Sequence, residues 1–195
     1  MKGMKKAISA ILTVLTTAAL AATVYAADYG TPPSVAVPAT SSSSAAADRA
    51  GDAVKAVVSD GKVAAEAVAV KSTNVLPVSS SVIKALQESE TAVLTISAPK
   101  AKISIDAATI TKVTKVDLSA KIYSSEKRAV VDFRSNKKFG CDVKVTLTNC
   151  KMSAELLAKA HVYCDGEDLG AVELNDAGQP VITVTKGGKY EIKVA

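Results

Sequence analysis

The chain has no tryptophan, one histidine, three cysteines and an aromatic content of only 4% across 195 residues. Each scarcity excludes something. Without tryptophan, a sugar-stacking module loses its preferred platform, leaving tyrosine to supply any exposed ring. A single histidine and the lack of any C-x-x-C pair rule out the usual zinc ligand patterns. Three cysteines are too few and odd in number for a disulfide scaffold. No G-x-S-x-G elbow or H-E-x-x-H helix occurs, so the common hydrolase and metalloprotease signatures are missing. A hydrophobic fraction of 48% with 22% charged residues excludes full-length disorder and collagen.

Residues 1–26, MKGMKKAISAILTVLTTAALAATVYA, place Lys2, Lys5 and Lys6 ahead of an uncharged run that ends in small residues. This is the pattern of a secretory signal peptide, with cleavage expected between Ala26 and Ala27. The alternative is a retained anchor, since the run is about as long as the ~20 residues a spanning helix needs, but its threonine and alanine content makes it weakly apolar. No membrane association is expected after cleavage. Three of the 24 basic residues and none of the 19 acidic ones leave with the leader, so the formal charge falls from +5 to +2. A charge this small, scattered along the chain, gives no basic stripe, and nucleic acid is rejected as a partner.

Residues 27–47 hold Pro32, Pro33, Pro38 and the run Ser41–Ser44 without a periodic apolar face. Such composition reads as an extended linker, either a spacer from a surface or a tail without a role. From residue 48 to 195 a single domain is expected. Ala50, Ala53, Val54, Val57 and Val58 recur at helical spacing up to Gly61, and Ala64–Val70 reads as a strand. A second helix is expected over Ser80–Glu88, capped by Ser79, with Val78 and Ile83 placed as a hydrophobic staple.

Beyond Thr91 the period becomes two. Ala92, Leu94 and Ile96 face Ala101, Ile103 and Ile105 across a hairpin at Pro99-Lys100. Inward rows follow at Val116–Ile122, at Ala129, Val131 and Phe133, and at Cys141, Val143, Val145 and Leu147, with a short helix at Ser153–Lys159. Strands at His161–Cys164, Gly170–Leu174, Val181–Thr185 and Lys189–Val194 are separated by glycine-bearing turns. The fold class is mainly β (α+β): an antiparallel sandwich or meander with two short N-terminal helices and one short connecting helix.

Few residues stand out as chemistry. His161 and Tyr163 share one strand face, and Tyr123 also points outward, so these three are the candidate ligand-binding residues, set against plain packing or surface roles. Asp165, Glu167 and Asp168 surround Gly166 at a hairpin tip and are the candidate calcium ligands. Three side chains fall short of the ~6–8 oxygens calcium takes, and acidic turns are usually just solvated, so no cofactor is expected. Cys141 and Cys150, nine apart on one strand, would stand about 30 Å apart, beyond the ~7 Å a bridge tolerates. Cys150 and Cys164 flank the short helix and could pair; the alternative is three buried thiols.

The run DAVKAVVSDGKVAAEAVAVKSTNVLPVSSSVIKALQESETAVLTISAPKAKISIDAATI resembles the helix, Asp-Gly, strand, Val-Leu-Pro, helix, hairpin module of secreted clostridial and ruminococcal proteins. VDFRSNKKFGCDVKVTLTNC and AHVYCDGEDLGAVELNDAGQPVITVTKGGKYEIKV are similar to their closing strands. The resemblance implies an exported accessory or surface module of a Gram-positive bacterium, with no assigned catalytic residues. The chain departs from that pattern where KISID stands in place of the usual tryptophan strand, and no dockerin calcium loop or sorting signal is present. The expected function is therefore a secreted or cell-surface, non-catalytic binding or adhesion-type module for a cell-wall glycan or surface protein. The alternatives are a secreted glycan-active enzyme or carbohydrate-binding accessory domain, and a structural stalk or assembly subunit.

Overall fold

The computed structural model describes residues 53–194. The leader at 1–26 and the linker at 27–47 lie outside the described residues. The strands are β1 (Val58–Ser59), β2 (Lys62–Val63), β3 (Ala67–Ala69), β4 (Pro77–Val78), β5 (Val93–Ser97), β6 (Ala101–Asp106), β7 (Val116–Asp117) and β8 (Ala120–Ser124). They continue with β9 (Arg128–Phe133), β10 (Lys138–Leu147), β11 (Ala160–Cys164), β12 (Glu167–Ala171), β13 (Glu173–Leu174), β14 (Pro180–Lys186) and β15 (Lys189–Val194). Helix α1 is Ser80–Ser89 and α2 is Ala154–Leu157. Among the described residues no helix is long and apolar enough to cross a membrane.

Two larger sheets carry the fold. A six-stranded sheet runs β13-β14-β10-β6-β5-β3 and a five-stranded sheet runs β12-β11-β15-β9-β8. The alternating rows anticipated from sequence are the inward faces. Ala101, Ile103 and Ile105 of β6 and Cys141, Val143, Val145 and Leu147 of β10 join Ala129, Val131 and Phe133 of β9 and Ile192 of β15 in one buried cluster. Each buried isoleucine or leucine of that cluster contributes about 1.5–3 kcal/mol relative to leaving it in water. Phe133 joins the sheets through ring contacts: its centroid lies 5.4 Å from Phe139 of β10, edge on, and 6.1 Å from Tyr190 of β15. The fold is a β-sandwich, not a meander, because consecutive strands leave one sheet for the other. β10 pairs with β6 and β14, while β15 inserts between β9 and β11.

Ser79 caps α1, its hydroxyl accepting from Val82 N, and Ser153 caps α2 by accepting from Leu156 N. Elsewhere the elements differ from the sequence reading. Among the described residues the expected first helix is helical over 53–55 and gives way to the β1–β2 hairpin, while its start lies outside them. Asp60 and Gly61 both take positive φ, 51° and 73°, as the tight Asp-Gly turn of a hairpin requires. The expected strand Ala64–Val70 shortens to β3, and it pairs parallel to β5, which the intervening α1 permits as a crossover.

The expected continuous strand Val116–Ile122 is broken. β7 pairs with β4, then β8 with β9, and at the break buried Ser119 accepts a hydrogen bond from Leu76 N at 2.9 Å. The expected strand at Gly170–Leu174 starts earlier, at Glu167, and divides into β12 in one sheet and β13 in the other. Its first part turns back through Asp165 and Gly166, both again at positive φ. A register shift between His161 and Tyr163 then places two β12 residues against one of β11, a bulge that blunts this edge strand.

Candidate functional surface

One cross-strand row spans the whole five-stranded sheet. Tyr123 of β8 pairs with Val130 of β9, Val130 with Glu191 of β15, Glu191 with Tyr163 of β11, and Tyr163 with Asp168 of β12. Residues directly opposite one another share a face, and Tyr190 and Ile192, which flank Glu191, point into the core, so this row lies on the outer face. The two tyrosines singled out from the sequence therefore stand on one surface. Three strand spacings separate them, about 14 Å. Tyr123 is 41% exposed and Tyr163 is half-buried.

Charged side chains fill the space between the rings. Glu191 receives Lys189 at 2.7 Å, Lys193 at 3.8 Å and Arg128 at 3.9 Å. The Lys189 hydrogen bond, ahead of the neighbouring positive charges, holds the Glu191 carboxyl below the usual carboxylate range and raises Lys189 in return. Lys193 also lies over the Tyr163 ring, 4.7 Å from its centroid, in a cation–π contact. None of these four residues was singled out by sequence reasoning. The outward parity of Lys189, Glu191 and Lys193 along β15 is readable, but the insertion of that strand between β9 and β11 is not.

His161 has a partner after all. Its Nδ1 lies 2.8 Å and 3.0 Å from the two carboxylate oxygens of Asp168. A carboxylate only accepts, so this bond is donated by a proton on His161 Nδ1. Gly170 N donates to Asp168 Oδ1 at 2.8 Å. That bond first, then the one from His161, holds Asp168 below its ordinary value, while partial desolvation and the Asp168 charge push Tyr163 up. The dyad orients an imidazole as a general base is oriented, yet among the described residues no hydroxyl or thiol hydrogen-bonds to the imidazole. The arrangement places the His161–Asp168 pair and two tyrosine rings on the outer sheet face, with Val130 between them fully covered.

The acidic tip does not converge on a centre. Asp168 is turned to His161 and Gly170, Asp165 accepts from Lys189 N at 3.2 Å, and Glu167 lies in β12 as a strand residue. Among the described residues no group of three or more His, Cys, Asp or Glu side chains is arranged to hold a metal ion. The Cys150–Cys164 bridge is not formed: all three cysteines are free, Cys141 and Cys164 buried and Cys150 half-buried. Burial, then the Asp142 charge, pushes the Cys141 thiol up to about 11. Cys164 points into the core row of β11, where its thiol lies 3.8 Å from Asp165 Oδ2 and donates to it.

No protein-family model, curated protein or solved structure matches the chain.

Proposed function

We propose that the chain is an exported, non-catalytic binding module that acts at or outside a bacterial cell surface, and that the outer face of the five-stranded sheet is its recognition surface. The observation that carries this reading is that Tyr123, Glu191, Tyr163 and Asp168 share one outward row with flanking Lys189, Lys193 and Arg128, over a covered Val130. Aromatic rings offer flat apolar area to the C–H face of a sugar or to a protein side chain, and cations and carboxylates beside them fix orientation by hydrogen bonds. Strands hold these groups more rigidly than loops would, which lowers the ordering cost of binding. The basic, apolar leader and the Pro/Ser-rich segment behind it support export and a tether that spaces the domain from a surface.

Both tyrosines stand on an open sheet face, so the geometry favours a contact surface over the cleft a glycan-cleaving enzyme would need. The test is an array of cell-wall polysaccharides and bacterial surface proteins probed with the purified protein. At least one ligand is expected to bind, and Tyr123→Ala should weaken it tenfold or more, about 1.4 kcal/mol. Binding to no member of the array, or binding indifferent to Tyr123, overturns the reading.

A further inference from the structure

A second site lies at the edge of the sandwich, beside the β8 end of the tyrosine row. The loop after β3 brings Lys71, Ser72, Thr73 and Asn74 against the β5–β6 turn at Ala98, Pro99 and Lys100, and Ile122 of β8 forms part of the wall. Together they line a cavity of about 190 Å³ that is open to solvent on one side. The walls are fixed by hydrogen bonds. Thr73 Oγ1 donates to Ala120 O at 3.1 Å and Ala120 N donates to Thr73 O at 2.7 Å, clamping the loop to the start of β8. Asn74 N donates to Ser72 Oγ at 3.1 Å, and Thr148 N donates to Lys100 O at 3.2 Å. The Lys100 ammonium reaches across the cavity to donate to Ile122 O at 3.2 Å.

Charge and size define what fits. Both charged lining residues are lysines and no carboxylate lines the cavity. Neither lysine forms an ion pair among the described residues. An ammonium satisfied only by a backbone carbonyl retains donors for an anion, and two like charges at one cavity favour an anionic occupant. Sites for drug-sized ligands run ~300–1,000 Å³, so this one takes something smaller. Ala98, Pro99 and Ile122 offer an apolar wall, while Ser72 and Asn74 add polar groups at the rim. We infer that this cavity binds a sugar acid of monosaccharide size, its carboxylate between Lys71 and Lys100 and its ring against Pro99 and Ile122.

The probe is glucuronate, titrated into the isotope-labelled protein while the backbone amide signals of Ser72, Asn74, Lys100 and Ile122 are followed by NMR, with glucose and acetate as parallel arms. Glucuronate should shift these signals saturably, at least tenfold more tightly than either glucose or acetate. Lys71→Gln with Lys100→Gln should weaken it at least tenfold, and the matching Lys→Arg pair should retain it, with unchanged thermal unfolding showing that each variant is folded. Tyr163→Ala, three strands away on the outer face of the five-stranded sheet, should leave the titration as it was, so failure of the tyrosine surface and failure of this site are read separately. No saturable shift with glucuronate, equal binding of glucose or acetate, or Lys→Gln variants that bind as well as the parent overturns the inference.

Discussion

At the residue scale, His161 shows how a lone side chain acquires a role from its neighbours. The Asp165-Gly166 turn, the histidine and Asp168 are each visible in the sequence, but their meeting depends on the bulge in β12, which shifts register by one residue. A bulge has no signature beyond Gly170 at φ 107°, and glycine is common enough in turns to hide it. The cysteines give a direct check on the packing. Cys141 is 4% exposed with its thiol raised to about 11, whereas Cys150 is half-buried. Thiolate is the reactive form. Iodoacetamide at pH 8 followed by peptide mass mapping should therefore find Cys150 modified first and Cys141 last in the folded protein; equal rates at the two would contradict this packing.

Gly187 is constrained more tightly than any turn glycine. A Cβ there would fall on the Ser135 carbonyl oxygen, whereas one at Gly178 would meet nothing within 4 Å and would be opposed only by its φ of 69°. Gly187→Ala should cost about 3 kcal/mol or more in denaturant unfolding, because backbone must move, and Gly178→Ala only about 1–2 kcal/mol. Equal losses would mean that the approach of Gly187 to Ser135 is not as close as described.

At the element scale, what was legible is the face of each strand, and what was not is its partner. Period-two alternation in Ala101–Ile105, Cys141–Leu147 and Ala129–Phe133 places the inward rows correctly because side chains alternate regardless of which strand lies alongside. Pairings such as β6 with β10 or β9 with β15 join segments far apart in the chain, and only the shared core selects them. The break between β7 and β8 is the clearest case. Val116, Leu118 and Ala120 keep their inward alternation, so the row looks continuous, yet Ser119 turns its hydroxyl to the Leu76 amide and redirects the chain to a new partner. Ser119→Ala leaves that buried N–H unpaired and should destabilise the protein by about 1–3 kcal/mol in chemical denaturation. The half-buried cap Ser79→Ala should cost about 1 kcal/mol. A Ser119 variant as stable as the parent would remove that hydrogen bond as the cause of the break.

At the scale of the whole molecule, the two sheets turn chemically different faces to solvent. The outer face of the six-stranded sheet carries the row Thr183, Lys144, Ser104, Thr95 and Ala67, built of hydroxyls, one lysine and no ring. The five-stranded sheet carries the tyrosines, the His161–Asp168 pair and the cations around Glu191. Tyr123 and Tyr163 were legible as outward residues, but their common face emerges only when β15 is seen between β9 and β11, bringing Glu191 and Val130 into line with them. The central claim is that this face, and not its opposite, meets the ligand. The direct measurement compares the affinity of a ligand found in the array for three proteins: the parent, Tyr123→Ala with Tyr163→Ala, and Lys102→Ala with Lys144→Ala on the six-stranded sheet. The account predicts a loss of tenfold or more for the tyrosine pair and less than twofold for the lysine pair; the reverse order, or equal losses, would contradict it.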